Sequence, residues 1–434
     1  MNTALLWRWI PTLYFSQGLP YVVVMTLSVV MYKNLGVSNT DIALYTSWLY
    51  LPWVIKPLWS PLVDLLGTKR RWILLLQFLV GTAFALVALT LPGPKFLQMT
   101  LAMFWLMAFA SATHDIAADG FYMLALQQRQ QAAFVGVRST FYRLSMIGGQ
   151  GGLVYLAGWL AERQGNVVQA WSIVFWLLAA MFVTAAVFHA WALPRPAIDQ
   201  PAPRTGTFWL DFGAVFAAFF KKPEVWRILT FLLLYRFAEA QLLKLVTPFL
   251  LDPIEAGGLG LRTQDVGIAY GTVGIIALTL GGLLGGWVIS RLGLKRVLWP
   301  LVFCMHVPNT MFVLLAIWQP SNLWLVSGAI AVEQFGYGFG FTAYMVFMLM
   351  VAGGTGDPQG AKAADGSSLH KTAHYALCTG FMALGMMLPG MWAGWLQDQM
   401  GYTNFFIWAC VATLPSFVAA ALIRVDPEFG RKVT

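Results

Sequence analysis

The stretch from Ser111 to Gly120 places three ionisable side chains, His114, Asp115 and Asp119, near the end of a long apolar run. Asp115 and Asp119 are four residues apart and share one face of a helix, while His114 points about 100° away from Asp115. Two carboxylates in a medium of low dielectric constant cannot both stay ionised cheaply, so one of them can bind and release a proton. We predict proton carriage by Asp115 and Asp119. A helix cap or a water-facing position stays open for Asp119.

Two further acids, Glu239 and Glu333, lie inside apolar runs in the second half of the chain. Glu333 occupies the region equivalent to that of Asp115, and Glu239 follows Arg236 by three residues. We predict both acids as additional proton sites, since acids at membrane depth are usually functional. The structural alternatives stay open: Glu239 could simply pair with Arg236, and Glu333 could be a hydrogen-bonded structural acid.

Basic side chains inside apolar runs could bind an anionic group of a solute. We predict this role for Lys56, Arg143, Arg236 and Lys244. For Lys56, either its long side chain reaches the cytoplasmic surface or it pairs with a carboxylate, for which Asp115 is the partner that we expect.

The remaining histidines and the three cysteines show no spacing typical of a metal site or a disulfide framework. The glycine-rich stretch 353–368 lacks the Gly-Lys-Ser/Thr ending of a phosphate-binding loop. We therefore predict no metal site and no cofactor.

The elements that position these residues must be membrane-spanning helices. Apolar residues form 59% of the chain and charged residues 10%, compared with about 45–50% and about 25% in soluble domains. Since a span needs roughly 20 apolar residues, the 434 residues allow about twelve spans. The predicted spans are 7–32, 41–66, 72–92, 97–125, 133–160, 168–192, 227–251, 264–290, 297–319, 323–351, 373–397 and 402–424.

A proline-containing break at 194–226 separates the first six spans from the second six. Its stretch from Phe208 to Phe220 predicts an amphipathic helix on the membrane surface within a cytoplasmic linker. The break divides the chain into an N-terminal six-helix bundle at 1–193 and a C-terminal six-helix bundle at 227–434.

The distribution of positive charge predicts the orientation. With loops assigned alternately to the two sides, most of the 27 Lys and Arg residues fall on the side of the linker. The loops on the other side hold only Lys33, Lys95, Arg163 and Arg262. Both termini are therefore expected in the cytoplasm, and the net charge of +9 requires no nucleic-acid partner.

The two halves share short motifs in the same order. Gly67-Thr68-Lys69-Arg70 recurs as Gly293-Leu294-Lys295-Arg296, and Gly158-Trp159-Leu160 recurs as Gly394-Trp395-Leu396. Each match lies at the equivalent place in its half. Such parallel repeats are typical of transporters with a solute site near the membrane midplane between the halves.

The six-plus-six pattern, the long linker and the basic turns after the second and eighth spans resemble the major facilitator superfamily. The residues that match its gating turn are Asp64, Gly67, Lys69 and Arg70 in the first half and Gly293, Lys295 and Arg296 in the second. Ser290 stands where the second turn would have its acid. The resemblance thus implies an acidic gate residue in the first half only.

Three stretches are similar to the AmpG-type permeases within that superfamily: Tyr14–Pro20, Leu51–Asp64 and Thr113–Asp119. The resemblance implies a monomeric secondary transporter of the inner membrane, not an enzyme, whose partners are a small-molecule solute, protons and membrane lipids. Its implied solute is an anhydromuropeptide. Because the chain is shorter than the muropeptide permease by two hydrophobic segments, the siderophore importers of the same group stay open as the alternative.

Two alternative functions can be weighed from the charged residues without the family resemblance. A drug exporter of the same fold would move hydrophobic cations, which the intramembrane Lys and Arg residues would repel. An intramembrane metal-dependent enzyme could use His114, Asp115 and Asp119, but such sites usually recruit further ligands and no second acidic cluster appears. We therefore expect proton-coupled import of a bulky anionic solute by alternating access.

Overall fold

The computed structural model describes residues 3–201, 208–353, 367–427 and 429. Within these ranges the chain is helical and contains no β-strand, which confirms the all-helical prediction. The α-helices in chain order are α1 (Thr3–Val22), α2 (Ser28–Asn34), α3 (Asn39–Trp48), α4 (Leu51–Leu65), α5 (Lys69–Thr90), α6 (Phe96–Ala125), α7 (Gln128–Met146), α8 (Val154–Gln164), α9 (Val167–Ala192), α10 (Phe208–Phe220), α11 (Val225–Leu234), α12 (Phe237–Leu251), α13 (Thr263–Ile268), α14 (Ile275–Leu292), α15 (Leu294–His306), α16 (Thr310–Trp318), α17 (Leu323–Gly353), α18 (Ser367–Val411) and α19 (Leu414–Leu422).

Eight helical segments in the described residues are long and apolar enough to cross a membrane. They are Leu5–Asn34, Lys69–Thr90, Phe96–Ala125, Val167–Ala192, Thr263–Leu292, Leu294–Trp318, Leu323–Ala352 and Ala373–Leu422. The last segment is 50 residues long and bends at Gly401, whose φ of 74° favours glycine. It therefore covers both of the last two predicted spans.

Several predicted spans fold as interrupted helices, among them 297–319, which is interrupted between α15 and α16. The span 41–66 is interrupted between α3 and α4, and the span 227–251 is interrupted between α11 and α12. The span 133–160 continues from α7 to α8 through a π-helical segment, Ile147–Leu153. Similar wide turns occur at Val23–Leu27 and Ala269–Gly274, and such turns are frequent at functional sites.

The first of two compact units consists of Met1–Ser38, Leu58–Arg204 and Leu261–Thr272. Its core contains the edge-to-face ring pair Trp9 and Phe121, with centroids 5.4 Å apart. The segment Leu261–Thr272 packs against α8 and the adjoining π-helical segment. Glycine permits this close approach, because a Cβ atom on Gly271 would overlap the carbonyl oxygen of Gln150.

The second unit consists of Asn39–Pro57, Thr205–Gly260 and Val273–Thr434. Its core is aromatic around Tyr235, whose ring stacks on that of Tyr344 with centroids 5.4 Å apart. The segment Asn39–Pro57 packs through α3 on α18, where a Cβ atom on Gly394 would overlap the backbone carbonyl of Asn39.

Candidate functional site

The predicted acid Asp119 is ion-paired in the first unit. Its Oδ1 atom lies 2.9 Å from Nη2 of Arg138 and accepts a hydrogen bond from the hydroxyl of Tyr14 at 3.3 Å. The Arg138 guanidinium also lies over the Tyr14 ring, 4.6 Å from its centroid. Asp119 keeps 39% of its side chain exposed.

Asp115 and Arg143 lie on α6 and α7 of the same unit, and both are partly exposed. Both interact electrostatically with Tyr142. A partly exposed acid and a partly exposed arginine on neighbouring helices are consistent with their predicted roles, proton carriage by Asp115 and anion binding by Arg143. Those roles stay predictions.

His114 takes part in a buried hydrogen-bond chain that joins four helices of the first unit. Its Nε2 atom lies 3.2 Å from the amide nitrogen of Gln77, whose oxygen lies 2.9 Å from Nδ1 of His189. The Nε2 atom of His189 lies 3.0 Å from the hydroxyl of Thr12. Amide orientation and histidine tautomer adjust to satisfy such a chain. His114 therefore packs α6 against α5, next to Asp115 in the chain.

The first predicted gating turn is held by a residue of the predicted linker. The carboxylate of Asp199 accepts hydrogen bonds from the backbone N–H groups of Lys69, at 2.8 Å, and Arg70, at 3.1 Å, and so caps the start of α5. The Arg70 side chain donates to the carbonyl groups of Ala190 and Leu193 at the end of α9.

The other residues predicted for the gating turns lie in both units. Gly67 lies in the turn before α5, while the side chain of Asp64, on α4, lies outside the described part of the chain. In the second unit Gly293 has a φ of 81°, which favours glycine, and Lys295 and Arg296 are exposed in the first turn of α15.

Arg236 lies at a helix break in the second unit. The chain leaves helical geometry at this residue, with φ −109° and ψ 19°, so the three-residue spacing to Glu239 no longer brings the two side chains together as on a helix. The buried guanidinium instead donates to the hydroxyl of Tyr337 and lies 4.8 Å from the centroid of Phe341. Arg236 still interacts electrostatically with Glu239, but in the described chain no nitrogen–oxygen distance within 4 Å joins them.

Lys244 is buried on α12 of the same unit, with 5% of its surface exposed. Its Nζ atom donates to the hydroxyl of Thr46 at 2.9 Å and lies 5.2 Å from the centroid of Tyr50. Among the described residues this ammonium group has no ion pair within 4 Å, and it uses one of its three donors. The arrangement leaves a buried lysine with unused hydrogen-bond donors.

Glu239 and Glu333 are both fully buried in the second unit and interact electrostatically with each other. Oε2 of Glu333 accepts a hydrogen bond from the amide of Gln334 at 2.9 Å. The other three carboxyl oxygens have no hydrogen-bond partner among the described residues. The structure thus brings these two predicted acids together.

Lys56 lies on α4 in the second unit and is partly exposed. Asp115 belongs to the first unit, so the expected pairing of these two residues stays a prediction. In the described part of the chain, no group of three or more His, Cys, Asp or Glu side chains is placed to hold a metal ion.

Sequence patterns did not single out several residues that contact the site. Thr46 and Tyr50 bind Lys244, Tyr337 binds Arg236, and Arg138 binds Asp119. Neutral hydroxyl residues give little signal in an apolar run. A preference for residues one helical turn apart would have identified Thr46 and Tyr50, which are four residues apart.

Comparison with known proteins assigns this helical chain to one family. The family model of the Major Facilitator Superfamily matches residues 12–361. The chain belongs to the Major Facilitator Superfamily. As a member of that superfamily it is a multi-pass membrane transporter of small-molecule solutes.

Curated relatives of this superfamily member confirm the similarity to AmpG-type permeases. The anhydromuropeptide permease of Escherichia coli strain K12 is 27% identical over 426 residues, which cover 96% of this chain and 79% of the relative. Putative transporter AmpG 4 of Rickettsia conorii is 26% identical and is covered to 92%, as is this chain.

Solved structures of the same fold are transporters as well. The nucleoside transporter NupG has a TM-score of 0.66 at 17% identity and covers 98% of this chain and 100% of its own. A POT family transporter in complex with 5-aminolevulinic acid has a TM-score of 0.68 at 11% identity, with 95% and 94% covered. The superfamily assignment and the relatives agree with the expectation that the chain is a transporter and not an enzyme.

Proposed function

We propose that this superfamily member is a proton-coupled importer of anhydromuropeptides. It lies in the inner membrane as twelve spans, with both termini and the linker 194–226 in the cytoplasm, and works as a monomer. The name of the Escherichia coli relative, aligned over 96% of the chain, supports the choice of solute.

The observation that carries the proposal is the buried charge around α12. Lys244 offers an ammonium group with spare donors, and Arg236 lies against the rings of Tyr337 and Phe341. Cations bind carboxylates, and aromatic rings provide flat apolar surface for the faces of sugar rings. An anhydromuropeptide combines a peptide carboxylate with sugar rings, so its chemistry matches these side chains.

Two segments support alternating access between the bundles 1–193 and 227–434. Asn39–Pro57 comes from the first bundle but packs with residues of the second, whereas Leu261–Thr272 comes from the second bundle but packs with residues of the first. The contacts consist of hydrogen bonds, such as those of Asn39, and of close packing at Gly271 and Gly394. The proposal is that these contacts form and break as the carrier alternates.

Uptake into proteoliposomes tests the proposal. Purified protein would be reconstituted and supplied with a radiolabelled anhydromuropeptide, a ferric siderophore or a hydrophobic cation, with and without an inward proton gradient. We expect accumulation of the anhydromuropeptide above its external concentration only with the gradient. Accumulation of the siderophore alone would assign the alternative solute, and movement of none of the three would contradict the proposal.

A further inference from the structure

The pair formed by Glu239 and Glu333 cannot be doubly ionised without a large cost. Both side chains are fully buried, they interact with each other electrostatically, and three of their four oxygens have no hydrogen-bond partner among the described residues. Burying a charged carboxylate without hydrogen bonds is strongly unfavourable, and a like charge nearby adds to that cost. A single proton on the pair removes the like-charge repulsion and leaves only one buried carboxylate charge.

One cation is close enough to balance one of the two charges. Arg236 interacts electrostatically with Glu239, while the group beside Glu333 is the neutral amide of Gln334. Lys244 is five residues beyond Glu239 on α12, or about 7.5 Å along the helix axis, and is held by Thr46 and Tyr50. The group formed by one arginine and two acids has no net charge when the acids share one proton.

Further titratable side chains lie around Arg236, among them Tyr50, which interacts with it electrostatically. The hydroxyl of Tyr235 donates to the carbonyl of Gly340, and that of Tyr344 donates to the carbonyl of Leu232. Tyr337 contacts Arg236. His306, on α15, is buried with its ring 5.9 Å from that of Tyr235. These hydroxyls act as neutral donors, and an imidazole packed on aromatic rings is neutral as well, so the exchangeable proton belongs to the two carboxyl groups.

We infer that Glu239 and Glu333 share a single proton and that this shared proton is the one the carrier exchanges during transport. The first part stands on the buried pair alone, and the second rests on the proposed function. Loss of the proton leaves a second carboxylate charge in the unit that holds Lys244. That charge offsets the ammonium charge and weakens its hold on an anionic solute, so proton release and solute release favour each other.

Infrared spectroscopy tests the shared proton without any solute. A protonated carboxyl group has a C=O stretching band that an ionised one lacks. In lipid nanodiscs at neutral pH we expect a difference spectrum, wild type minus Glu333→Gln, with the band of one protonated carboxyl group. The Glu333→Gln variant lacks this band because its Glu239, left beside Arg236 without an acidic neighbour, ionises. The matched control is Glu162→Gln, which changes an acid with 51% of its side chain exposed, and it should leave the band unchanged.

Absence of the carboxyl band from that difference spectrum would overturn the inference. If Glu333→Gln does not fold, the wild type alone decides, since at neutral pH it must show a protonated-carboxyl band that alkaline titration removes. A wild type without such a band refutes the shared proton.

Transport separates this inference from the proposed function. In proteoliposomes, Glu333→Gln should lower gradient-driven accumulation of the anhydromuropeptide at least tenfold more than it lowers solute exchange without a gradient. Equal loss of both would refute the exchange of this proton. If the wild type moves no anhydromuropeptide while the infrared band is present, the proposed function fails and the shared proton stands.

Discussion

Lys244 combines burial with unused hydrogen-bonding capacity. Its ammonium group is held by Thr46 and lies over Tyr50, and a charged hydrogen bond to an anion contributes about 1.5–3 kcal/mol. We predict that Lys244→Gln raises the KM for anhydromuropeptide uptake about 10-fold to 100-fold, measured as initial rates in proteoliposomes. The control Arg163→Gln removes an exposed positive charge that lies over Trp159 and should leave KM unchanged. An unchanged KM in Lys244→Gln would exclude this lysine from anion binding.

The two acids of the first unit differ in a way that their spacing could not predict. On the sequence, Asp115 and Asp119 are equivalent acids on one helix face. Asp119 pairs with Arg138, a residue 19 positions along the chain and on the next helix, so its partner depends on how α6 and α7 pack. The alternative of a helix cap or a water-facing position stays open for Asp119, whose side chain is 39% exposed.

At the scale of helices, α3 is joined to α18 by a hydrogen-bond cluster around Asn39. Its amide nitrogen lies 2.7 Å from Oε1 of Gln397, 2.9 Å from the hydroxyl of Tyr402 and 3.3 Å from Oδ2 of Asp252. The Tyr402 hydroxyl donates to Asp252 at 2.5 Å. These contacts hold the segment Asn39–Pro57 within the second unit.

We predict that Asn39→Ala loosens α3 from α18. Each lost hydrogen bond contributes about 1 kcal/mol, so a cysteine at buried Ser47 should react with a membrane-impermeant thiol reagent at least about tenfold faster. The measurement needs a chain without Cys304, Cys378 and Cys410. As the control, Asn404→Ala removes an exposed asparagine of α18 and should leave the rate unchanged. Equal rates in both variants would show that the cluster does not hold α3.

The π-helical segments Ile147–Leu153 and Ala269–Gly274 approach each other closely at Gly271. We predict that Gly271→Ala is destabilising. A methyl group there overlaps the carbonyl oxygen of Gln150, whereas the matched control Gly152→Ala, in the same contact region, meets open space. Overpacking costs about 1–3 kcal/mol, so heat inactivation of the purified protein should occur at a lower temperature for Gly271→Ala and not for Gly152→Ala. Similar inactivation temperatures would contradict this packing.

Apolar runs predicted most helices but not their interruptions. The break before Arg236 contains neither proline nor glycine, and the residues around it are apolar, so hydropathy alone continues the helix across it. By contrast, the short 3₁₀ turn Val307–Asn309 contains Pro308, which favours a break between α15 and α16. The missed interruption matters for the site, because it directs Arg236 towards Tyr337 and leaves it beyond ion-pair distance of Glu239.

For the molecule as a whole, internal repeats predicted two bundles, and the family match supports the fold that such repeats indicate. The compact units do not follow the chain order, because each includes a segment from the other half. That exchange depends on backbone contacts at Gly271 and Gly394, which a sequence shows only as small residues. The long-range packing of these segments is therefore not predictable from the sequence, whereas the composition alone predicts a membrane protein.

Simultaneous measurement of solute and proton movement tests the proton-coupled import most directly. Radiolabelled anhydromuropeptide would be added to proteoliposomes in weakly buffered medium, with the membrane potential clamped by potassium and valinomycin, while external pH and internal label are recorded. We predict that external pH rises as the solute enters, and that Glu333→Gln abolishes the rise. Entry of the solute with no change in external pH would contradict proton-coupled import.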